Sequence, residues 1–267
     1  MFAKEFTMKT SALSSSHPLF SSLIPTLQFA QALLKGSWRD RRGLMTALFA
    51  PILMLVMFWL LTGSNEDAEF DLLGFMFPAI IGFSVMFSGS GQAARLLNWR
   101  EQGVFQRLAA TPVPLGNLVL GAFLAQTVLG AIQGTAILLF GIFVVGLPVN
   151  LGGALLTIVV LVFGGACFIS LGSLVATLAT KADSANNLYT FTMLPMFFFG
   201  GGFPPEIMPT FVQNISPWLP TTMFTDLMRP LLSTGALAQD SWIALAGLAG
   251  YFVLFSVLAA KRFRWEI

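Results

Sequence analysis

A chain of 267 residues that is 56% hydrophobic and only 10% charged, with mean hydropathy +0.80, carries more apolar surface than one water-soluble core can hide. Lipid must take part of it. The net charge of +2 points to no nucleic-acid partner, and the single cysteine, Cys167, excludes an intrachain disulfide and a cysteine-built metal cluster.

Taken in chain order, residues 1–22 are rich in serine and lack the apolar core and small-residue cleavage site of a secretory signal. They read as a flexible cytoplasmic tail, with His17 a solvated bystander. Residues 23–43 follow as an amphipathic helix: Leu27, Ala30, Leu33, Leu34 and Trp38 form a stripe at helical spacing, beside Gln28, Gln31, Lys35 and Arg39. A basic rim and a tryptophan suit a helix lying in the membrane interface. Six stretches then have the roughly 20 mainly apolar residues that a bilayer requires. They are Leu44–Thr62, Leu72–Gln92 with Pro78 as a kink, Asn117–Leu147, Leu151–Thr180, Ala185–Gly202 and Trp242–Ala260. The expected fold is therefore an all-α membrane protein of six transmembrane helices occupying residues 44–267.

Lys and Arg counts orient it. With both termini in the cytoplasm, every one of the 14 basic residues except Arg229 lies inside. The loop after the first span has no basic residue and holds Glu66, Asp67, Glu69 and Asp71, which reads as a solvated outer loop.

Two segments between the spans are amphipathic without being long enough to cross. In residues 96–110, on the cytoplasmic side, Leu97, Val104, Phe105 and Leu108 share one helical face, and Thr111-Pro112 ends the helix. In residues 203–220, on the outer side, Pro204, Pro205, Pro209, Pro217 and Pro220 divide an apolar stretch into pieces that read as a re-entrant hairpin, with Gly200-Gly201-Gly202 as its corner. Beyond it, Asp226 and Arg229 stand three apart on a helix and are able to pair.

The chemistry is mostly one of absences. The sequence has no phosphate-binding GxxxxGK[ST] loop, no HExxH, no CxxC and no GxSxG, and its one histidine lies in the tail. None of the six stretches as drawn holds Asp, Glu, Lys, Arg or His, which argues against a proton- or ion-coupled transporter. Energy for transport should arrive from outside the bilayer, through a cytoplasmic helix that a partner can push. Gly130, Gly134 and Gly141, and Gly165 and Gly172, are spaced for close helix packing, either between subunits or within the chain. Of the 27 phenylalanines, Phe197, Phe198, Phe199 and Phe203 cluster near the outer end of the fifth stretch. They serve either as lipid contacts or as an apolar exit path for cargo.

The run Trp99-Arg100-Glu101-Gln102-Gly103-Val104-Phe105-Gln106-Arg107-Leu108-Ala109-Ala110-Thr111-Pro112 resembles the coupling-helix signature of type-2 ABC exporter permeases, with Val104 where threonine is frequent and Gln106 where an acid is frequent. Gly200–Pro209, Ser216–Pro220 and Asp226-Leu227-Met228-Arg229 resemble that family's outer hairpin and the run after it. The resemblance covers nearly all the chain after residue 22. It implies a permease that hydrolyses nothing itself and holds no cofactor, with ATP and Mg bound on two copies of an ABC ATPase subunit. It also implies a second permease, identical or paralogous, a bacterial or archaeal inner membrane, and no nucleic acid. Leu97, Phe105 and Leu108 would be apolar anchors for the ATPase, while Arg100, Glu101, Gln102, Gly103, Gln106 and Arg107 would complete the coupling surface. Cargo of the drug or antibiotic kind, hydrophobic or amphiphilic, is the leading expectation. The alternatives are a lipid-linked polysaccharide or glycoconjugate, or an ATP-independent secondary transporter.

Overall fold

The computed structural model describes residues 18–62, 71–110 and 114–262. Most of the expected tail, the bulk of the acidic loop, Thr111-Pro112 and the last five residues lie outside them. Among the described residues there is no β-strand; the elements are α1 (Pro18–Arg39), α2 (Arg41–Thr62), α3 (Leu72–Glu101), α4 (Val104–Ala109), α5 (Leu115–Phe140), α6 (Leu151–Leu178), α7 (Ala182–Phe197), α8 (Thr210–Ile215), α9 (Pro220–Ser233) and α10 (Ser241–Arg262). A wide turn, Gly141–Val145, prolongs α5, and a second, Phe198–Gly202, prolongs α7.

Five of these helices are long and apolar enough to cross a membrane: α2, α3, α5 with its extension, α6 and α10. The sixth expected span is built differently. Its regular helix, α7, has 16 residues and carries Asn186, Asn187, Thr190 and Thr192, and the extension Phe198–Gly202 leaves helical geometry at Gly200 and Gly201.

Burial sorts the long helices into a centre and a rim. Seventy-eight per cent of the apolar window of α3 is buried, against 11% in each of α2 and α10. The centre is α3, flanked by α5, α6, α7 and α9; α2 and α10 turn Phe49, Leu53, Leu60, Val253 and Val257 outward, as a lipid solvent requires. Small residues make the centre possible. A Cβ on Gly172 would overlap the backbone of Gly89, and one on Gly130 would meet Ser88 Oγ at 2.6 Å. Gly134 faces Val85 and Leu161, and Gly141 faces the ring of Phe77. The glycine spacing of α5 and α6 therefore serves packing within the chain. Tyr189 closes the joint between α7 and α3: fully buried, it donates its hydroxyl to Met86 O at 2.9 Å and lies 3.3 Å from Phe168 O.

The antiparallel succession gathers Arg39, Arg41, Arg100, Arg107, Lys181, Lys261 and Arg262 at one end of the bundle, here the basic end. α1 starts at Pro18, inside the expected tail, and packs along the first turns of α5, where Gly121 lies beneath Thr26 O and Phe29. Leu27 and Trp38 turn outward from that contact. Asp40 separates α1 from α2 and caps α2 by accepting from Gly43 N at 3.0 Å.

The α3 helix continues nine residues past the expected end at Gln92. Arg95 thus belongs to a continuous spanning helix, which corrects the expectation of a bundle free of ionisable groups. An arginine keeps its proton in proteins, so the argument against proton coupling is unaffected.

Candidate functional site

The chain breaks its helices at two places. At the basic end, α3 stops at Glu101 and α4 starts at Val104, with Gly103 between them at φ +63°. That left-handed conformation suits glycine and almost no other residue. Arg107 stabilises the break by donating Nη2 to Gln102 O at 3.1 Å, and Gly103 N donates to Arg100 O at 3.2 Å.

An aromatic column fixes α4 in place. Phe105 is buried and meets the edge of Trp99 at 6.1 Å between ring centres, and Trp99 leans on Phe29 of α1 at 5.7 Å. Leu97 is buried in the same core, and Leu108 is partly buried. The expected single helix over 96–110 is therefore two: Leu97 belongs to α3 and Phe105 to α4, on either side of Gly103. Both side chains point into the bundle and attach α4 to it; neither is presented outward as the apolar anchor for a partner expected from sequence. Glu101, Gln102, Gln106 and Arg107 are exposed, and Arg100 is half-buried. Glu101 also serves the fold: its Oε1 accepts from Ala182 N at 3.0 Å, capping the start of α7. The surface offered outward is therefore polar, made of Gln102, Gln106 and Arg107 above an apolar footing. Trp99 and Phe29, which complete that footing, carried no role in the sequence analysis; an amphipathic neighbour ending in a tryptophan was their only signal.

The second break lies at the far end, where the extension of α7 ends in Gly200–Gly202. Gly201 has φ +94°. Carbonyls released there are taken up by α9: Thr221 donates to Met196 O at 2.6 Å, and Arg229 Nη2 donates to Gly201 O at 2.7 Å. Arg229 also pairs with Asp226 at 3.1 Å and lies 4.0 Å over the ring of Phe75. Burial pushes the Asp226 carboxyl up, with Arg229 opposing, and pushes the Arg229 guanidinium down, with Asp226 opposing. Beyond the corner, α8 and its flanking turns expose Ile207, Phe211, Ile215 and Trp218, while α9 buries Phe224, Leu227, Met228 and Leu231. This segment is thus half sunk in the bundle and half presented to its surroundings.

Phenylalanines run between these parts as a ladder. Phe87 meets Phe83 at 5.0 Å, Phe83 meets Phe197 at 4.8 Å, Phe197 meets Phe198 at 5.4 Å, and Phe198 stacks on Phe203 at 5.7 Å. Phe58 of α2 ends it at 6.5 Å from Phe203. Phe197 is buried, and Phe198 and Phe199 are exposed. Phe199 is the one member of the expected cluster that joins no rung among the described residues.

Amides in the centre were also missed. Gln92, Gln126 and Gln133 are buried between α3 and α5, and Gln92 Nε2 and Oε1, Gln126 Oε1, Gln133 Oε1 and Arg95 Nη1 have no partner among the described residues. Unpaired polar atoms are costly inside a membrane, where no bulk water is at hand. No group of acidic, histidine or cysteine side chains among the described residues could hold a metal.

Comparison with known proteins agrees with this architecture. Residues 26–232, most of the chain, match the model of the family described as ABC-2 type transporter. The chain is 26% identical to YvfS of Bacillus subtilis, named as a transport permease, over 85% of this chain and 91% of that one. It is 26% identical to YbhR of Escherichia coli K12, named as a multidrug ABC transporter permease, over 68% of this chain and 48% of that one. Nodulation protein J of Neorhizobium galegae is 27% identical over 67% of this chain and 69% of its own length. The span thus ranges from nearly all of YvfS to about half of YbhR. With the matched region running from α1 to α9, and five apolar helices long enough to cross a bilayer, the chain is an integral membrane protein that belongs to the ABC-2 type transporter family.

Proposed function

We propose that the chain is the permease of an exporter in which a separate ATPase subunit, binding ATP and Mg, drives a hydrophobic or amphiphilic compound outward across the inner membrane. The observation that carries this reading is the short α4 helix at the basic end, footed on Trp99 and Phe29 and offering Gln102, Gln106 and Arg107 to the aqueous side. A rigid helix with a polar outer face suits a protein groove better than lipid, and its aromatic footing passes displacement straight into α3 and α1. The basic end is the cytoplasmic one by its Lys and Arg content, so both termini are cytoplasmic. On this reading α7, continued through Phe198 and Phe199 to the glycine corner, forms a sixth span: these 18 residues rise about 27 Å at 1.5 Å each. Two permeases pair, each served by one ATPase, and the phenylalanine ladder lines the route by which cargo leaves.

Co-reconstitution with the cognate ATPase tests the proposal. Gln106→Ala with Arg107→Ala should lower permease-stimulated ATP hydrolysis and transport about tenfold, because such contacts sit at the centre of the docking patch. Insertion should stay unchanged, and losing the exposed Arg107 bond to Gln102 O should lower the unfolding midpoint only slightly. Wild-type coupling in that double variant would reject the docking assignment. A cargo panel of lipophilic drugs and lipid-linked oligosaccharides identifies the substrate class; stimulation by the oligosaccharides alone would replace the compound class named above.

A further inference from the structure

Two concavities lie one above the other near the basic end and share walls on α3, α6 and α10, the first having α5 as a further wall. The first, about 430 Å³, is almost wholly apolar and opens between α5, α6 and α10, with Leu96, Leu120, Phe123, Phe252 and Ala260 among its walls. Phe123 and Phe252, with ring centres 6.1 Å apart, pack across it. The second, about 450 Å³, is lined by Arg100, Thr177, Thr180, Lys261 and Arg262. On each of the three shared walls they are separated by about one helical turn, about 6 Å, or less: Leu96 precedes Arg100 by four residues, Ser173 precedes Thr177 by four, and Ala260 adjoins Lys261.

Among the described residues, the charges of the second concavity meet no carboxylate. Asp226–Arg229 is the ion pair among the described residues, so Arg100, Lys261 and Arg262 have no carboxylate partner there. Glu101, next to Arg100 in sequence, is engaged with Ala182 N on another helix. Three cations at helix ends also serve to offset the dipoles of α3, α6 and α10, all of which finish here. Each dipole end amounts to about half a negative charge, which leaves roughly one and a half positive charges uncompensated. Depth is set by α10: Val253, Leu254, Val257 and Leu258 face outward up to three residues before Lys261. The cations therefore stand where hydrocarbon gives way to headgroups.

We infer that these two concavities form one site for an anionic phospholipid, with an acyl chain in the apolar cleft and the headgroup phosphate held by Arg100, Lys261 and Arg262. Its place in the inner leaflet rests on the orientation proposed above; its existence does not. An acidic surface on a partner protein or a free phosphate would use the same cations but would have no use for the cleft.

The full chain, reconstituted in nanodiscs of equimolar phosphatidylcholine and phosphatidylglycerol and re-extracted in mild detergent, should retain phosphatidylglycerol over phosphatidylcholine by about tenfold. Lys261→Gln with Arg262→Gln should abolish that preference. Ala259→Phe, which fills the cleft and leaves every charge, should lower total retained lipid; circular dichroism checks that both variants keep wild-type helicity. Excess inorganic phosphate should displace nothing. No preference in the wild-type chain, displacement by phosphate, or full retention in Ala259→Phe would each overturn the site. Lipid retention is read without the ATPase, so failure of the exporter reading leaves this result standing, and the reverse.

Discussion

The two helix breaks solve one problem in opposite ways. At Gly103 the chain reverses on an apolar footing, Phe105 on Trp99 on Phe29, and leaves its polar groups facing out. At Gly201 the polar groups turn inward: Thr221 and Arg229 take up the loosened carbonyls, and hydrophobic residues of the hairpin face out. The first break spends no side-chain polarity on holding itself except Arg107 and Glu101, so a partner can read it. The second consumes its polarity and behaves as a fixed corner. A break held by packing can tilt as a unit; one held by directional hydrogen bonds resists until they are lost.

The largest effect should come at the corner. Gly201→Val forces a β-branched residue to φ +94° and drives its side chain against Thr225. Backbone strain and overpacking together should cost about 3–5 kcal/mol, enough to lower yield and thermal midpoint in detergent sharply. A wild-type midpoint would mean the corner is not fixed as described. Phe105→Ala should cost about 3 kcal/mol, but locally, because α4 has only six residues and hangs on one column. Hydrogen exchange should show Val104–Ala109 losing protection while the middle of α3 keeps it. Loss of protection throughout α3 instead would show the column to be part of the global core.

At the corner's ion pair the two partners should differ. Arg229→Met removes the donor to Gly201 O and the contact over Phe75, and should cost about 2 kcal/mol. Asp226→Asn keeps an acceptor for Arg229 and should change little, since half of the Asp226 side chain is open to solvent. Burial raises the Asp226 carboxyl in the folded chain, so the folded state binds that proton more readily than the unfolded one. Its contribution to stability is then present at low pH and lost as pH rises through the raised value. The unfolding midpoint should hold or rise slightly as the medium is acidified from neutrality toward that value. A fall that disappears in Asp226→Asn would reverse the assigned sign.

The Gly200–Gly202 corner was legible, because a glycine run before a proline-divided stretch has one conformational use; the Gly103 break was not, since residues 96–110 read as one helix. Nor was the way each face points. Periodicity groups Leu97 with Phe105 but carries no label saying whether their common side meets the bundle or a partner; Trp99 and Phe29 decide it, from a helix some seventy residues upstream. The end of α3 was misplaced for a related reason. Hydropathy stops at Gln92 because Arg95 and Arg100 follow, yet the backbone continues helical through Glu101, held by protein contacts and not by lipid. The glycine spacing of α5 announced close approach without naming the neighbour, which proved to be α3 and α6 of the same chain. Six apolar stretches gave the bundle, but composition alone cannot show that the fifth stretch is a 16-residue helix continued by a widened turn that breaks at Gly200 and Gly201.

Between the two breaks lies the α3–α5 seam, where the smallest change in stability is expected and the most pointed one in function. Gln92 is wholly buried, and neither of its amide atoms has a partner among the described residues. Replacing a polar side chain whose hydrogen bonds go unmade with an apolar one of similar size removes a desolvation cost and creates no cavity, so Gln92→Leu should stabilise the chain by about 1 kcal/mol. If the seam is only a packing compromise, transport should survive that substitution unchanged. If the amides are left unpaired because they find partners when α4 displaces α3, the same variant should be more stable and slower in transport. A Gln92→Leu chain with a lower unfolding midpoint than wild type would mean that the amide is paired in the resting protein, and the seam would then belong with the corner as a fixed element, leaving α4 as the single mobile one.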